Sequence, residues 1–227
     1  MKIYFDGCSW TEAGNLENKY EERFSRLVSQ KFGAEEYNFA LSGGSNDRII
    51  RNLMVDKNIE EYDLAVIQMT YPARTEYYGG VPRHPKIFMS GWIRVNPSYN
   101  FGHMIWKMKK NILEEDVLNK RGIGRNRVWT DPKNSDDFDQ HRKFWSDYYR
   151  TVTTNEFFEN KEKIQKLTIE NYCQVKKVPL VICTQNPETK ENYDLLMSDK
   201  KINPSGKDAE GHRIIANNII SIAKERL

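Results

Sequence analysis

Two kinds of periodicity alternate at the start of this chain, and that alternation narrows the fold more than any other feature. Lys2-Ile3-Tyr4-Phe5-Asp6 is a short apolar run that stops at Gly7 and reads as a strand. Tyr20, Phe24, Leu27, Val28 and Phe32 then fall on one face at helical spacing, and Gly33 supplies a helix stop. Residues 36–41 read as a second strand. Ser42-Gly43-Gly44-Ser45-Asn46 is a tight turn, and the helix after it carries Ile49, Ile50, Leu53 and Met54. Residues 62–70 form a third strand, apolar enough to be buried on both faces. A β-α-β-α-β order predicts a parallel sheet with right-handed crossovers.

Regular alternation is lost from about Tyr71 to Asp137. This stretch is rich in Pro, Gly, Asn, Trp and Tyr, and Arg83, Lys86, Arg94, Lys107, Lys109, Lys110, Lys120, Arg121, Arg125 and Arg127 make it basic. It reads as a long insertion with one short helix near residues 104–118. Long segments without periodicity serve as lids, binding elements or assembly surfaces. Helix is predicted again over 138–149 and over 155–176, the second burying Phe157, Ile164, Leu167, Tyr172 and Cys173. Residues 178–183 read as a fourth strand and 185–207 as a polar loop. The last helix, 208–226, presents Ile214, Ile215, Ile219, Ile220 and Ala223 to the sheet. The expectation is one domain over residues 1–227, interrupted by the insertion at about 71–137.

Composition excludes some classes. No apolar stretch approaches the roughly 20 residues that span a bilayer, and no charged-then-apolar leader precedes the first strand. Cys8, Cys173 and Cys183 are odd in number and far apart, which points to a reducing, cytoplasmic compartment and offers no zinc-ligand spacing. A net charge of +3 is too mild to mark the whole chain as nucleic-acid binding. The oligomeric state is not readable.

In an open α/β sheet, chemistry collects at the carboxyl ends of the strands. Ser9 sits just past the first strand, beside unpaired backbone N–H groups, where it can act as a nucleophile or simply cap a helix. Gly43-Gly44-Ser45-Asn46, Thr70 and the stretch from Asp208 to His212 fall at the same edge if the strands are neighbours.

Four blocks carry a family resemblance: Gly7-Cys8-Ser9-Trp10-Thr11, residues 38–46 (Asn-Phe-Ala-Leu-Ser-Gly-Gly-Ser-Asn), residues 68–76 (Gln-Met-Thr-Tyr-Pro-Ala-Arg-Thr-Glu) and residues 211–216 (Gly-His-Arg-Ile-Ile-Ala). Together they resemble the SGNH (GDSL-like) hydrolase superfamily, in the branch whose first block reads G-C-S-[FW]-T. The resemblance covers residues 1–76 and 178–227 and does not extend to the insertion. It implies a three-layer α/β/α sandwich with a parallel, flavodoxin-like sheet and an esterase or acylhydrolase activity that needs no metal or cofactor. Ser9 matches the nucleophile, and the N–H groups of Ser9 and Gly43 match two oxyanion donors. Asn46, Thr70 and Arg74 would contact substrate, a small-molecule or carbohydrate ester such as an O-acetyl ester. His212 would be the base, with Asp208 one helical turn before it.

Two departures stand out. The third block lacks the Asn that donates to the oxyanion; Gln68 or Thr70 occupies that region. The base of an Asp-x-x-His-Pro sequence is also missing: the expected positions are Gly206 or Asn203-Pro204, and His212 matches the family's second, structural histidine better. Second readings therefore stand beside the first. His212 can be a helix-start residue and Asp208 an N-cap. Arg74 can pair with Glu76, and Cys8 can be a nucleophile or an inert buried thiol. Trp92, Trp106, Trp129 and Trp145 are expected to fasten the insertion onto the core. The rival function is a catalytically degenerate scaffold that binds an anionic partner weakly through its basic, aromatic-rich insertion.

Overall fold

A computed structural model describes residues 1–13, 16–84, 87–95, 147–149, 151, 153–187, 189–197 and 208–227. These residues divide into two compact units, Met1–Tyr71 with Ile164–Leu227, and Pro72–Lys163.

The first unit begins with β1 (Lys2–Asp6), the short α1 (Ser9–Glu12), α2 (Lys19–Glu22) and α3 (Phe24–Phe32). The helix predicted over 20–32 is broken at Arg23, whose extended backbone separates α2 from α3. Gly33 ends α3 in the left-handed conformation, φ 59°, as a helix-stopping glycine does. Next come β2 (Glu35–Asn38), α4 (Asn46–Arg51) and β3 (Leu64–Met69), every residue of which is buried.

The second unit opens with β4 (Thr75–His84) and β5 (Ile87–Val95), an antiparallel pair running from Thr75 opposite Val95 to His84 opposite Ile87. The stretch expected to be irregular therefore starts as a hairpin. Its Tyr, Val, Ile, Phe and Trp residues favour strands, but Gly79, Gly80, Pro82 and Gly91 interrupt the alternation that reveals one. The ladder shifts register between Pro82 and His84, where a proline is tolerated. The predicted helix at 104–118, most of that at 138–149, and Trp106, Trp129 and Trp145 lie outside the described residues. In this unit Tyr149 donates its hydroxyl to the Ala73 carbonyl at 2.5 Å and stacks on Phe158.

α5 (Asn155–Val175) runs on into the first unit, followed by β6 (Leu180–Thr184), β7 (Leu195–Leu196) and α6 (Ala209–Lys224). The face expected of α5 holds at Cys173, which is buried, and at Tyr172, which packs half-buried against the core, and is corrected nearer the helix start. Phe158, Glu162, Gln165, Ile169 and Cys173 are buried, whereas Phe157, Ile164 and Leu167 are exposed. Two polar residues on the inward face masked its periodicity. β7 was also hidden in a stretch that reads as polar loop. It pairs in parallel with Cys183 and Thr184, and the Asp194 carboxylate accepts the Ile182 N–H at 2.7 Å just ahead of it.

The sheet is parallel throughout, in the order β2-β1-β3-β6-β7. This is the flavodoxin-like doubly wound order, with its topological switch point between β1 and β3. Alternate strand residues feed two cores. Ile3, Phe5, Leu64, Val66 and Val181 meet Phe24 and Val28 of α3 and Ile215, Ile219 and Ala223 of α6. Tyr4, Ala65, Ile67, Met69 and Ile182 meet Ile49 of α4, Leu53 just beyond it, and Ile169 and Cys173 of α5. Helices thus cover both faces, giving the three-layer α/β/α sandwich. Among the described residues no helix is long and apolar enough to cross a membrane.

Candidate active site

The carboxyl ends of β1 and β3 meet at the switch point, and the turn after β1 is held there from below. Asp6 ends β1 fully buried. Its carboxylate accepts from the Gly7 N–H at 2.7 Å, from Asn52 at 2.9 Å, from the Tyr4 hydroxyl at 3.1 Å and from the Arg48 guanidinium. Burial pushes the Asp6 carboxyl above the ordinary carboxylate range, while Arg48, Asn52, the Gly7 amide and Tyr4 pull it back. Burial, then the neighbouring Asp6, pushes the Tyr4 phenol up as well. Arg48 also donates to the Gly7 carbonyl at 3.2 Å and the Phe39 carbonyl at 3.0 Å. One guanidinium therefore ties the end of β1 to the end of β2, and the Leu41 N–H adds a bond to the Gly7 carbonyl at 3.3 Å.

Above this pair the backbone turns into α1. Cys8 is buried at the N-cap position of α1 without a side-chain cap bond, and Ser9, half-buried, is the first helical residue. The Ser9 Oγ lies 3.9 Å from Cys8 Sγ. Glu12 and Ala13 close the helix onto the carbonyls of Cys8 and Ser9. The turn after β2 lies beside it. Gly44 donates to the Leu41 carbonyl at 2.7 Å, with Gly43 at φ 73°, a conformation that favours glycine. A Cβ on Gly44 would lie 2.8 Å from the Leu41 carbonyl oxygen and 3.0 Å from Arg48 Nε. Ser45 caps α4 by accepting the Arg48 N–H at 3.1 Å.

The structure sorts the expected contact residues. Asn46 is fully buried and clasps the backbone after β3, accepting the Thr70 N–H at 2.8 Å and donating to the Thr70 carbonyl at 3.0 Å and to Gln165 at 2.9 Å. It joins α4, β3 and α5 and has no exposed surface for a substrate, contrary to the role expected of it. Thr70 is buried with both backbone groups held by Asn46. Arg74 is buried within the second unit, where its carbonyl accepts from Lys161 at 3.4 Å. Asp208 caps α6 by accepting the Glu210 N–H at 3.0 Å.

His212 is 1% exposed. Its Nδ1 accepts the Phe24 N–H at 3.1 Å and its ring stacks on Phe24. A neutral imidazole with an accepting Nδ1 carries its proton on Nε2. Such a ring has no lone pair left to take a proton from serine, so this is not the arrangement a general base requires. What it does instead is join the start of α6 to the start of α3. Of the other histidines, His103 and His141 lie outside the described residues, as does the stretch containing Asn203 and Gly206.

Two glutamines at the edge carry contacts that sequence patterns alone did not reveal. Gln68, the penultimate residue of β3, accepts from Thr11 Oγ1 at 2.6 Å and from the Cys8 N–H at 3.3 Å, and donates to Cys8 Sγ at 3.2 Å. Gln185, just after β6, takes the Cys8 thiol at 3.9 Å. Their one visible signal is a polar residue at the end of an otherwise apolar strand. Among the described residues no group of three His, Cys, Asp or Glu side chains could hold a metal ion.

The strand order defines the class: a doubly wound α/β protein with a polar carboxyl edge at the switch point between β1 and β3. No family model matches the chain, and no curated protein matches it. Solved structures give loose likenesses. One is a two-domain esterase active on acetylated mannans, co-crystallised with mannopentaose, at 13% identity and a TM-score of 0.39 over 99% of this chain. The chain spans 49% of that protein's length. A second is an α/β hydrolase from the metagenome of Lake Arreo, Spain, at 13% identity and TM-score 0.37, covering 97% of this chain and 93% of the other. A third is an acetylxylan esterase from Geobacillus stearothermophilus, at 10% identity and TM-score 0.37, covering 97% and 92%.

Proposed function

We propose that this protein is an SGNH-type serine hydrolase that cleaves an ester, with a carbohydrate O-acetyl ester as the first substrate class to test. The observation that carries the reading is Ser9: a half-exposed hydroxyl at the first turn of α1, at the switch point, on a turn braced by buried polar contacts. Ser9 attacks the ester carbonyl. The N–H groups of Ser9 and Gly43 stabilise the oxyanion, and the left-handed backbone at Gly43 supports the turn that presents its amide. Collapse expels the alcohol and leaves an acyl-serine, which water then hydrolyses. His212 is assigned a structural role, because its Nδ1 is committed to Phe24. A histidine other than His212 serves as the base.

The test is labelling with a fluorophosphonate and mapping of the modified residue, together with hydrolysis of a short-chain aryl ester. Labelling at Ser9, and at least about a hundredfold loss of hydrolysis in Ser9→Ala, is the expected result. Hydrolysis unchanged in Ser9→Ala rejects the nucleophile. Alanine variants of His84, His103 and His141 identify the base by comparable loss.

One observation favours a second reading. The histidine of the C-terminal block, His212, commits its Nδ1 to the Phe24 N–H, and a hydrolase scaffold that has lost its base is left to binding. In that case fluorophosphonate leaves Ser9 unmodified, and the basic stretch after β3 binds an anionic polymer. Binding then weakens in the Lys107→Ala, Lys109→Ala, Lys110→Ala triple variant and with rising salt.

A further inference from the structure

A glutamine near the end of a buried strand needs a reason, because an amide taken from water without partners is costly. Every other residue of β3 is apolar. Gln68 is 1% exposed, and among the described residues its carboxamide makes three hydrogen bonds, all to the turn and helix that follow β1. Its oxygen takes Thr11 Oγ1 and the Cys8 N–H, and its nitrogen reaches Cys8 Sγ. These partners bracket Ser9, one before it and one two residues after it. The space for this clasp exists because Gly7 has no side chain: a Cβ there would stand 2.8 Å from both Gln68 Cβ and Gln68 Oε1.

We propose that Gln68 is a positioning residue that fixes the Ser9 turn against β3. The proposal rests on the ester-hydrolase reading of Ser9 for its effect on rate, though not for its effect on the turn. In the resemblance on which that reading draws, this region supplies an oxyanion donor. Gln68 does something else: its N–H₂ group is directed at Cys8 Sγ, so it acts through the backbone that carries the nucleophile. The hydrogen bond that the Cys8 N–H donates to Gln68 Oε1 also steadies the next peptide, and with it the Ser9 N–H that would face the oxyanion. Small displacements of such groups are amplified in rate, since a misplacement of about 1 Å costs on the order of a hundredfold.

The experiment uses the full chain with two substitutions, Gln68→Leu, which removes all three bonds, and Thr11→Val, which removes one and keeps the shape. Three readouts are taken: Ser9 labelling by fluorophosphonate, kcat and KM on an aryl ester, and amide hydrogen exchange at Cys8 with Ala65 in β3 as the reference. The expected result is a fall in kcat and in labelling rate of about tenfold to a hundredfold in Gln68→Leu, with KM unchanged. Cys8 exchange should be at least about tenfold faster while Ala65 stays protected. Thr11→Val should fall between wild type and Gln68→Leu, and it decides the matter if Gln68→Leu does not fold. Wild-type labelling rate and wild-type Cys8 exchange in the variants would overturn the proposal. If the wild-type protein is not labelled at all, the hydrolase reading fails by itself. Exchange at Cys8 then decides the positioning role: acceleration upholds it and no change overturns it.

Discussion

Replacing Gly7 by alanine tests how tightly the turn after β1 is built. The added Cβ would overlap Thr11 Oγ1 and lie 2.8 Å from Gln68 Cβ and Oε1. Thr11 can rotate away, but only by giving up its 2.6 Å hydrogen bond to Gln68, and Thr11 is fully buried. Stranding a buried hydroxyl costs about 1–3 kcal/mol. Gln68 Cβ belongs to β3, which is held between β1 and β6, so relieving that contact needs a backbone shift. Overpacking of this kind costs about 1–3 kcal/mol more. The sum, about 2–6 kcal/mol, lowers Tm by roughly 5–20 °C at about 2–4 °C per kcal/mol for a chain of this size. Gly33→Ala is the control. Gly33 has φ +59° but open space around its Cβ position, so only backbone strain is expected, about 1–2 kcal/mol. Urea and thermal unfolding followed by circular dichroism measure both. Adding Thr11→Ala to Gly7→Ala should cost less than the sum of the two, since it removes the overlap with Thr11 Oγ1. A Gly7→Ala variant as stable as Gly33→Ala would refute the reasoning.

Further outcomes follow from the same region. Arg48→Met should destabilise by about 3–5 kcal/mol because it leaves Asp6 buried and unpaired, and Asp6→Asn with Arg48→Met should recover part of that loss, as read by urea unfolding. His212→Ala should lower stability by about 1–3 kcal/mol, since it strands the buried Phe24 N–H, yet leave labelling of Ser9 in the folded protein within a few-fold of wild type. Burial pushes the Cys173 thiol up to about 12 and that of Cys183 higher still, so neither should be alkylated by iodoacetamide at neutral pH until the protein unfolds, as mass spectrometry of the peptides would show.

The central strands β1, β3 and β6 are legible in the sequence because they are short, largely apolar runs, and α3 and α6 because they carry clean apolar faces. α6 illustrates this: Ile215, Ile219 and Ala223 point inward as their spacing requires. α5 was misread because Gln165 faces inward to serve Asn46 and Asp47, an arrangement that makes a polar residue look like a surface one. The placing of Ser9 and Gly43 at strand ends could be read from short motifs. The role of Gln68 could not, because only the order β2-β1-β3 brings the end of β3 against Cys8. His212 shows the same limit. A histidine at the start of a helix looks alike whether it faces a nucleophile or caps a neighbouring helix, and the Phe24 amide that distinguishes the two lies far away in sequence.

The Arg48 guanidinium that ties β1 to β2 bears on how such a protein can change over generations. Gly7, Gly44, Ser45 and Asn46 are each required by a contact that would be needed whether or not any reaction took place. Selection for a folded chain is enough to keep them. Ser9 differs: it is half-exposed, and among the described residues its hydroxyl hydrogen-bonds only to the neighbouring thiol. A lineage that abandoned the chemistry would therefore keep the surrounding pattern and let Ser9 drift. In a saturation-mutagenesis library sorted for folding alone, position 9 should accept small residues freely while positions 7, 44 and 46 stay nearly closed, so that tolerance at position 9 under selection for turnover separates a working enzyme from an inherited frame.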